Sequence, residues 1–230
     1  MGVGPYDDTQ ADERNLLKRH LRKPNPLIID VGANTGQYAS LALSVHPDAK
    51  VISFEPQPAA FAKLSSLAHA RNFKAFPLAV GASAGQAQIF SEQSSNASEF
   101  ASLVPGVIED IHHNVSAGQT VDVITLDEFC ATHEIEAIDL LKVDVEGAEL
   151  EVLRGAEQLI AGGKIRMIQL EFNSMNTVSK TFVRDITRAL PGFRVYRLLH
   201  HGELADITSD KPLYRELFSY QNLVALPDAR

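Results

Sequence analysis

Short apolar runs recur along the chain, each bounded by polar or turn-forming residues. They predict strands at Leu27 to Val31, Val51 to Phe54, Ala75 to Val80, Ile138 to Val145 and Ile165 to Phe172. Alternation of apolar and polar residues is nearly lost inside these runs, so both faces of each strand are expected to be covered, as in a parallel sheet. The segments between them have helical character. Asp8 or Thr9 can cap a helix reaching about Arg22, and Pro24 and Pro26 end it. Pro58 to Arg71 opens with proline in its first turn, and Glu149 to Ala161 carries Leu150, Leu153 and Ile160 on one stripe before Gly162 and Gly163. Strands alternating with helices predict an α/β fold of three layers.

Two stretches break this rhythm. From Gly85 to Leu126, "GQAQIFSEQSSNASEF" and "VDVITLDEF" read as strands around a polar loop, followed by a short helix in "LDEFCATHE". This is a β-containing insertion, residues 85–126, over one edge of the sheet. Near the C-terminus, "FRVYRLLHHG" and "LFSYQNLVALP" alternate and predict an antiparallel pair closing the sheet. Without an internal repeat or a low-complexity linker, residues 1–230 are expected to form one domain with residues 1–26 as a helical extension.

Composition narrows the function. An apolar content of 45% with 22% charged residues is ordinary globular material. A net charge of -8 argues against nucleic acid, whose affinity for proteins comes largely from Lys and Arg neutralising phosphates. Cys130 is the only cysteine, which removes an intrachain disulfide or thiolate metal site and suits a reducing, cytoplasmic setting. The start "MGVGPYDDTQADERN" lacks the apolar core of a signal peptide, Tyr6 departs from the myristoylation pattern, and no run is long enough to span a bilayer. The sequons at Asn96 and Asn114 therefore read as chance.

The first predicted strand runs into "DVGANTG", a strand, tight loop and helix start. A dinucleotide fingerprint would put glycine where Asn34 stands and glycine or alanine where Gln37 stands. A ligand without a pyrophosphate needs no such close approach, and S-adenosylmethionine is one. Asp30 suits its positive end, and Glu55, ending the second strand, suits its ribose hydroxyls. Gly32 and Gly36 read plainly as a turn needing positive φ would leave both acids unexplained.

The block "IDLLKVDVEGAELEVLRGAEQLI", Ile138 to Ile160, combined in order with "IDVGANTGQYA", "SFEPQP", "VITLDEF" and "MIQLEFN", resembles the FkbM family of S-adenosylmethionine-dependent methyltransferases over roughly Leu27 to Asn173. The resemblance implies a class I, Rossmann-like fold with a mostly parallel seven-stranded sheet and an antiparallel C-terminal hairpin. It also implies methylation of a hydroxyl on a sugar or polyketide-type product. Carried onto this chain, cofactor binding falls on Asp30, Gly32, Ala33, Asn34, Gly36, Glu55, Pro56, Val80 and Asp144. An Asp that contacts the adenine amine in the wider class is missing from "AVGASAG", where Ser83 is the available substitute.

Lys142, Asp144 and Glu146 occupy alternate positions on the fourth predicted strand and share a face for as long as that strand continues. Strand ends at the carboxyl edge of an open α/β sheet are where ligands bind. Asp144 is therefore expected nearest the transferred methyl, and Asp144, Glu171 and Glu146 are the catalytic candidates. A plainer reading pairs Lys142 with a carboxylate and makes Glu146 and Glu149 helix-start acids. Asp144, Glu171 and Asn173 also offer three oxygens that a divalent cation such as Mg²⁺ accepts. His112, His113, His200 and His201 are alternative bases, and Asn96 and Ser102 are acceptor contacts. The rival functions are a nicotinamide-dependent oxidoreductase and a catalytically silent binding module. The acceptor itself and the oligomeric state are not written in the sequence.

Overall fold

The computed structural model describes residues 9–69, 72–92, 100–208 and 211–228. In chain order its elements are α1 (Thr9–His20), β1 (Leu27–Val31), α2 (Gln37–Val45), β2 (Lys50–Phe54), α3 (Pro58–Leu64), β3 (Phe73–Phe76), β4 (Ala79–Val80), β5 (Gly85–Glu92) and β6 (Ala101–Ser102). There follow α4 (Val107–Asp110), β7 (Ser116–Ile124), α5 (Leu126–Thr132), β8 (Leu140–Val143), α6 (Glu149–Arg154), α7 (Glu157–Ala161) and β9 (Ile168–Phe172). The chain continues through α8 (Met175–Val178), α9 (Val183–Ala189), β10 (Phe193–Leu198), β11 (Leu204–Asp206), α10 (Pro212–Arg215) and β12 (Gln221–Pro227).

The main sheet has the order β11-β10-β12-β9-β8-β1-β2-β3. Strands β3, β2, β1, β8 and β9 are mutually parallel, and β12 runs antiparallel between β9 and β10. These are the seven strands the resemblance implies, with the short β11 added antiparallel to β10 as an eighth. Apolar side chains of the sheet feed two core clusters. One contains Ile29, Val31 and Leu141, and the other contains Ile28, Val51 and Leu140 together with Leu16 and Leu17 of α1. Consecutive strand residues thus enter opposite cores, which is why the strands read as continuous apolar runs.

Three predicted elements divide. Ala75 to Val80 is not one strand: β3 ends at Phe76, Pro77 intervenes, and β4 joins a second sheet of order β4-β7-β5-β6. Proline cannot donate to a ladder, so the break falls where it stands. The insertion thereby forms its own sheet, with β5 and β7 paired from Gly85–Val123 to Glu92–Ser116. Pro58 to Arg71 is an α-helix only to Leu64, followed by a 3₁₀ turn at Ser65–His69; Arg71 lies outside the described residues.

Glu149 to Ala161 is two helices, α6 and α7, because Gly155 passes close beneath the loop after β4. A Cβ on Gly155 would lie 2.1 Å from the Gly81 carbonyl oxygen. Asp127 of α5 then caps α7 from a distance, accepting from the Gln158 and Leu159 N–H groups at 2.9 and 3.0 Å. Gly155→Ala is expected to cost about 1–3 kcal/mol through this overlap, lowering the unfolding midpoint by roughly 2–12 °C. A midpoint equal to wild type in a thermal melt would contradict that packing.

Candidate active site

A cavity of about 850 Å³ opens at the carboxyl ends of β1, β2, β8 and β9. Its first wall is the loop after β1. There Gly32 and Ala33 both donate to the Phe54 carbonyl at 3.0 Å, and Asn34 takes a positive φ of 46°. Gly32 adopts φ 79°, and a Cβ on it would lie 1.8 Å from the Asp144 carbonyl. The space it leaves open is therefore filled by the backbone after β8, not by a ligand. Ala33, Asn34 and Thr35 line the cavity with Gly32, but Gly36 does not; a Cβ there would strike Leu67 at 2.4 Å.

Glu55 follows β2 and is 3% exposed. Its two oxygens accept separately from the Asn34 and Gln57 N–H groups, both at 2.8 Å, which fixes the carboxylate against the cavity wall. Burial raises its pKa, and those N–H groups oppose the rise. Pro56, Leu78, Ala79 and Val80 continue the wall. Ser83 is exposed in the turn beyond β4 and does not line the cavity, so it cannot replace the missing adenine contact.

Asp30 also departs from expectation. It is fully buried and does not line the cavity; one oxygen accepts from Ser53 at 3.4 Å and the other lies 3.8 Å from Lys142 Nζ. Lys142 reaches past it to Asp144 at 2.9 Å, so Lys142 and Asp144 do share one face as their spacing predicts. Asp30 is thus the far partner of this lysine, with no contact to the cavity. The carboxylates around Lys142 outweigh its burial and raise its pKa.

The alternation stops before Glu146. The chain turns through positive φ at Glu146, 54°, and Gly147, 98°. Glu149 closes this turn by accepting from the Gly147 N–H at 3.0 Å and from the Asn176 amide at 2.8 Å, while Ser102 of the second sheet donates to the Glu146 carbonyl at 2.6 Å. Ser102 therefore braces the turn and does not line the cavity. Glu146, Glu171, Asn173 and Asp144 all line it. Glu171 accepts from the Asn173 amide at 2.6 Å, and Glu146 Oε2 is buried without a hydrogen-bond partner. Burial, reinforced by the Asp144 charge, holds both glutamates well above the ordinary carboxylate range.

Of the four candidate histidines, His112 alone reaches the cavity, stacked on Phe100 with ring centres 4.0 Å apart and with Nε2 buried and unpartnered. Burial lowers its pKa. His200 pairs with Asp12 at 3.1 Å on the outer surface, and neither His113 nor His201 lines the cavity. Asn96 lies outside the described residues. Among the described residues, no group of three or more His, Cys, Asp or Glu side chains is arranged to hold a metal ion, so the Mg²⁺ alternative finds no support.

Sequence reasoning passed over the buried network behind Glu13 and Tyr38, which line the cavity. Gln169, fully buried on β9, donates to Glu13 at 2.8 Å and to Asn222 at 3.0 Å, and accepts from the Tyr38 hydroxyl at 2.8 Å. Burial pushes the Glu13 carboxyl up to about 7 from an ordinary 4.5. A carboxyl raised in the folded state contributes most stability while it is neutral in both states, and that contribution is lost as pH rises through the folded value. The protein is therefore expected to lose stability as pH climbs from about 4.5 to 7. Thermal melts of the wild type and Glu13→Gln over this window check the sign. The variant should show the shallower fall, and an identical slope would contradict the assignment.

An open sheet with a nucleoside-sized cavity at its carboxyl edge, an acid after β2 and a glycine loop after β1 defines the class I methyltransferase architecture. The chain belongs to the FkbM methyltransferase family: the Methyltransferase FkbM domain matches residues 30–198. It is 28% identical over 198 residues to the 2-O-methyltransferase NoeI of Sinorhizobium fredii, covering 81% of this chain and 80% of that one. It is 32% identical over 126 residues to the hexuronic acid methyltransferase AglP of Haloferax volcanii, covering 55% of this chain and 48% of AglP. The crystal structure of methyltransferase FkbM from Methylobacillus flagellatus superposes with a TM-score of 0.54 at 17% identity, covering 88% of this chain and 44% of that one. The chain thus spans most of NoeI and about half of the other two. It is a methyltransferase, and no helix of the described residues is long and apolar enough to cross a membrane.

Proposed function

We propose that this methyltransferase carries the methyl group of S-adenosylmethionine to a hydroxyl oxygen of a small acceptor, a sugar or polyketide-type product. The observation that carries the reading is Glu55: a buried carboxylate on the cavity wall, fixed by two backbone N–H groups, where the paired hydroxyls of a ribose can donate to it. Leu78, Ala79 and Val80 supply an apolar wall suited to the adenine, and Asn34 and Thr35 flank the nucleoside. The relatives' names, 2-O-methyltransferase and hexuronic acid methyltransferase, support a hydroxylated small molecule as acceptor. Residues 1–230 act in this reading as one domain, with the second sheet and His112 bordering the acceptor.

In the reaction the acceptor oxygen attacks the methyl carbon in line, the carbon–sulfur bond breaks, and the sulfonium becomes a neutral thioether. Holding the two in near-attack geometry supplies on the order of 7–11 kcal/mol of the barrier reduction. The acceptor's proton passes to Glu171, whose carboxylate is made a stronger base than an ordinary one by burial. Asp144, held by Lys142, stands beside the methyl. Glu146, whose Oε2 is buried without a partner on the cavity wall, hydrogen-bonds to the acceptor. A cytoplasmic setting fits the buried Cys130 thiol, whose pKa burial lifts to about 11.

Incubation with S-adenosylmethionine and a panel of sugars and polyketide alcohols, read by mass spectrometry, tests this. A methyl ether formed together with S-adenosylhomocysteine, at the same rate with and without a chelator, is expected. Methylation of nitrogen or carbon alone would overturn the hydroxyl assignment.

A further inference from the structure

The N-terminal helix brings a carboxyl into the cavity from outside the matched family region, which begins at residue 30. Glu13 is 8% exposed and lies on the same stripe of α1 as the buried Leu16 and Leu17. An acid on an apolar helix face is costly unless something uses it. One of its oxygens accepts from Gln169, which Tyr38 and Asn222 hold in place, so the carboxyl has a fixed orientation. The hydrogen bond to Gln169 is made by one oxygen only, and the residue lines the cavity. Lys142 acts on Glu13 through charge alone, because the ammonium's hydrogen bond goes to Asp144 at 2.9 Å.

Position supplies the rest. From Glu55 the cavity follows the loop Gly32 to Thr35 to the start of α2, where Gln37 and Tyr38 face α1. Across that rim Gln10 donates to Gln37 at 3.4 Å. A nucleoside whose ribose rests on Glu55 extends its amino-acid tail along this loop toward α1. The tail is a zwitterion: its ammonium needs an acceptor, and its carboxylate needs donors such as the two glutamine amides.

We propose that Glu13 binds the α-ammonium of the cofactor's methionyl tail, making the N-terminal helix part of the cofactor site. The inference rests on the S-adenosylmethionine reading above. Glu13→Gln keeps the size of the side chain and an oxygen for Gln169 while removing the charge. Calorimetry would compare S-adenosylhomocysteine with 5′-methylthioadenosine, which shares the nucleoside and lacks the tail. The variant should bind S-adenosylhomocysteine at least about tenfold more weakly and methylthioadenosine within about twofold of wild type, since losing one partner of a desolvated charge pair weakens binding by this order or more. Equal losses for both ligands, or no loss for either, would overturn the proposal.

A measurement on the wild type alone avoids any folding defect of the variant. S-adenosylhomocysteine lacking the α-amine should bind at least about tenfold more weakly than the parent, and equal affinity would overturn the proposal. A wild type that binds none of these ligands would overturn the S-adenosylmethionine reading first, and the inference with it.

Discussion

Glu171→Gln is expected to lower kcat by about 10²–10⁴-fold, the range that general bases contribute, while leaving S-adenosylmethionine affinity nearly unchanged. The glutamine keeps the contact with Asn173, 2.6 Å from the wild-type oxygen, so the strand end should survive the change. Only the capacity to take a proton is removed. Release of S-adenosylhomocysteine in the presence of a productive acceptor measures the effect. Because burial raises the Glu171 pKa, the wild-type kcat should climb with pH as the carboxyl ionises, and the variant should lose that limb. Turnover within threefold or so of wild type would remove Glu171 from proton transfer.

Lys142→Met should be the most damaging change to stability. Asp30, Asp144 and Glu13 all act on this ammonium, and Asp30 is fully buried with no other cation paired to it among the described residues. Taking away one partner of a buried ion pair costs about 3–5 kcal/mol. The midpoint of thermal unfolding should fall by roughly 6–20 °C for a chain of this length. Without the lysine, which lowers both, the pKa values of Asp30 and Glu13 rise further, and protonating these carboxyls relieves the unpaired charge. The deficit against wild type should therefore be smaller at pH 5 than at pH 8. A deficit that grows on acidification would contradict the pairing.

The strand map was legible because each central strand is buried on both faces, and Glu55 was legible because an acid at the end of the second strand has little structural reason to be there. Long-range packing was not. Gly155 breaks a helix only because Gly81, far upstream in sequence, passes beneath it, and Asp30 turned from the cavity because Lys142 stands between them. The break at Pro77 did carry a signal in the proline itself. Glu13 carried one too: an acid three and four residues before Leu16 and Leu17 stands on the buried stripe of its helix. Ser83 and the outer histidines could be placed only by the structure, since a turn and a surface pair leave no periodic mark.

The central claim is that an adenosyl ligand lies in this cavity with its sugar on Glu55. Calorimetric titration of wild type and Glu55→Ala with S-adenosylmethionine, S-adenosylhomocysteine and NAD tests it most directly. The wild type should bind both adenosyl ligands and not NAD, and Glu55→Ala should lose at least about tenfold in affinity for both, as expected for a charged group hydrogen-bonded to ribose. Tight NAD binding without a response to either adenosyl ligand, or undiminished adenosyl binding by Glu55→Ala, would contradict the account.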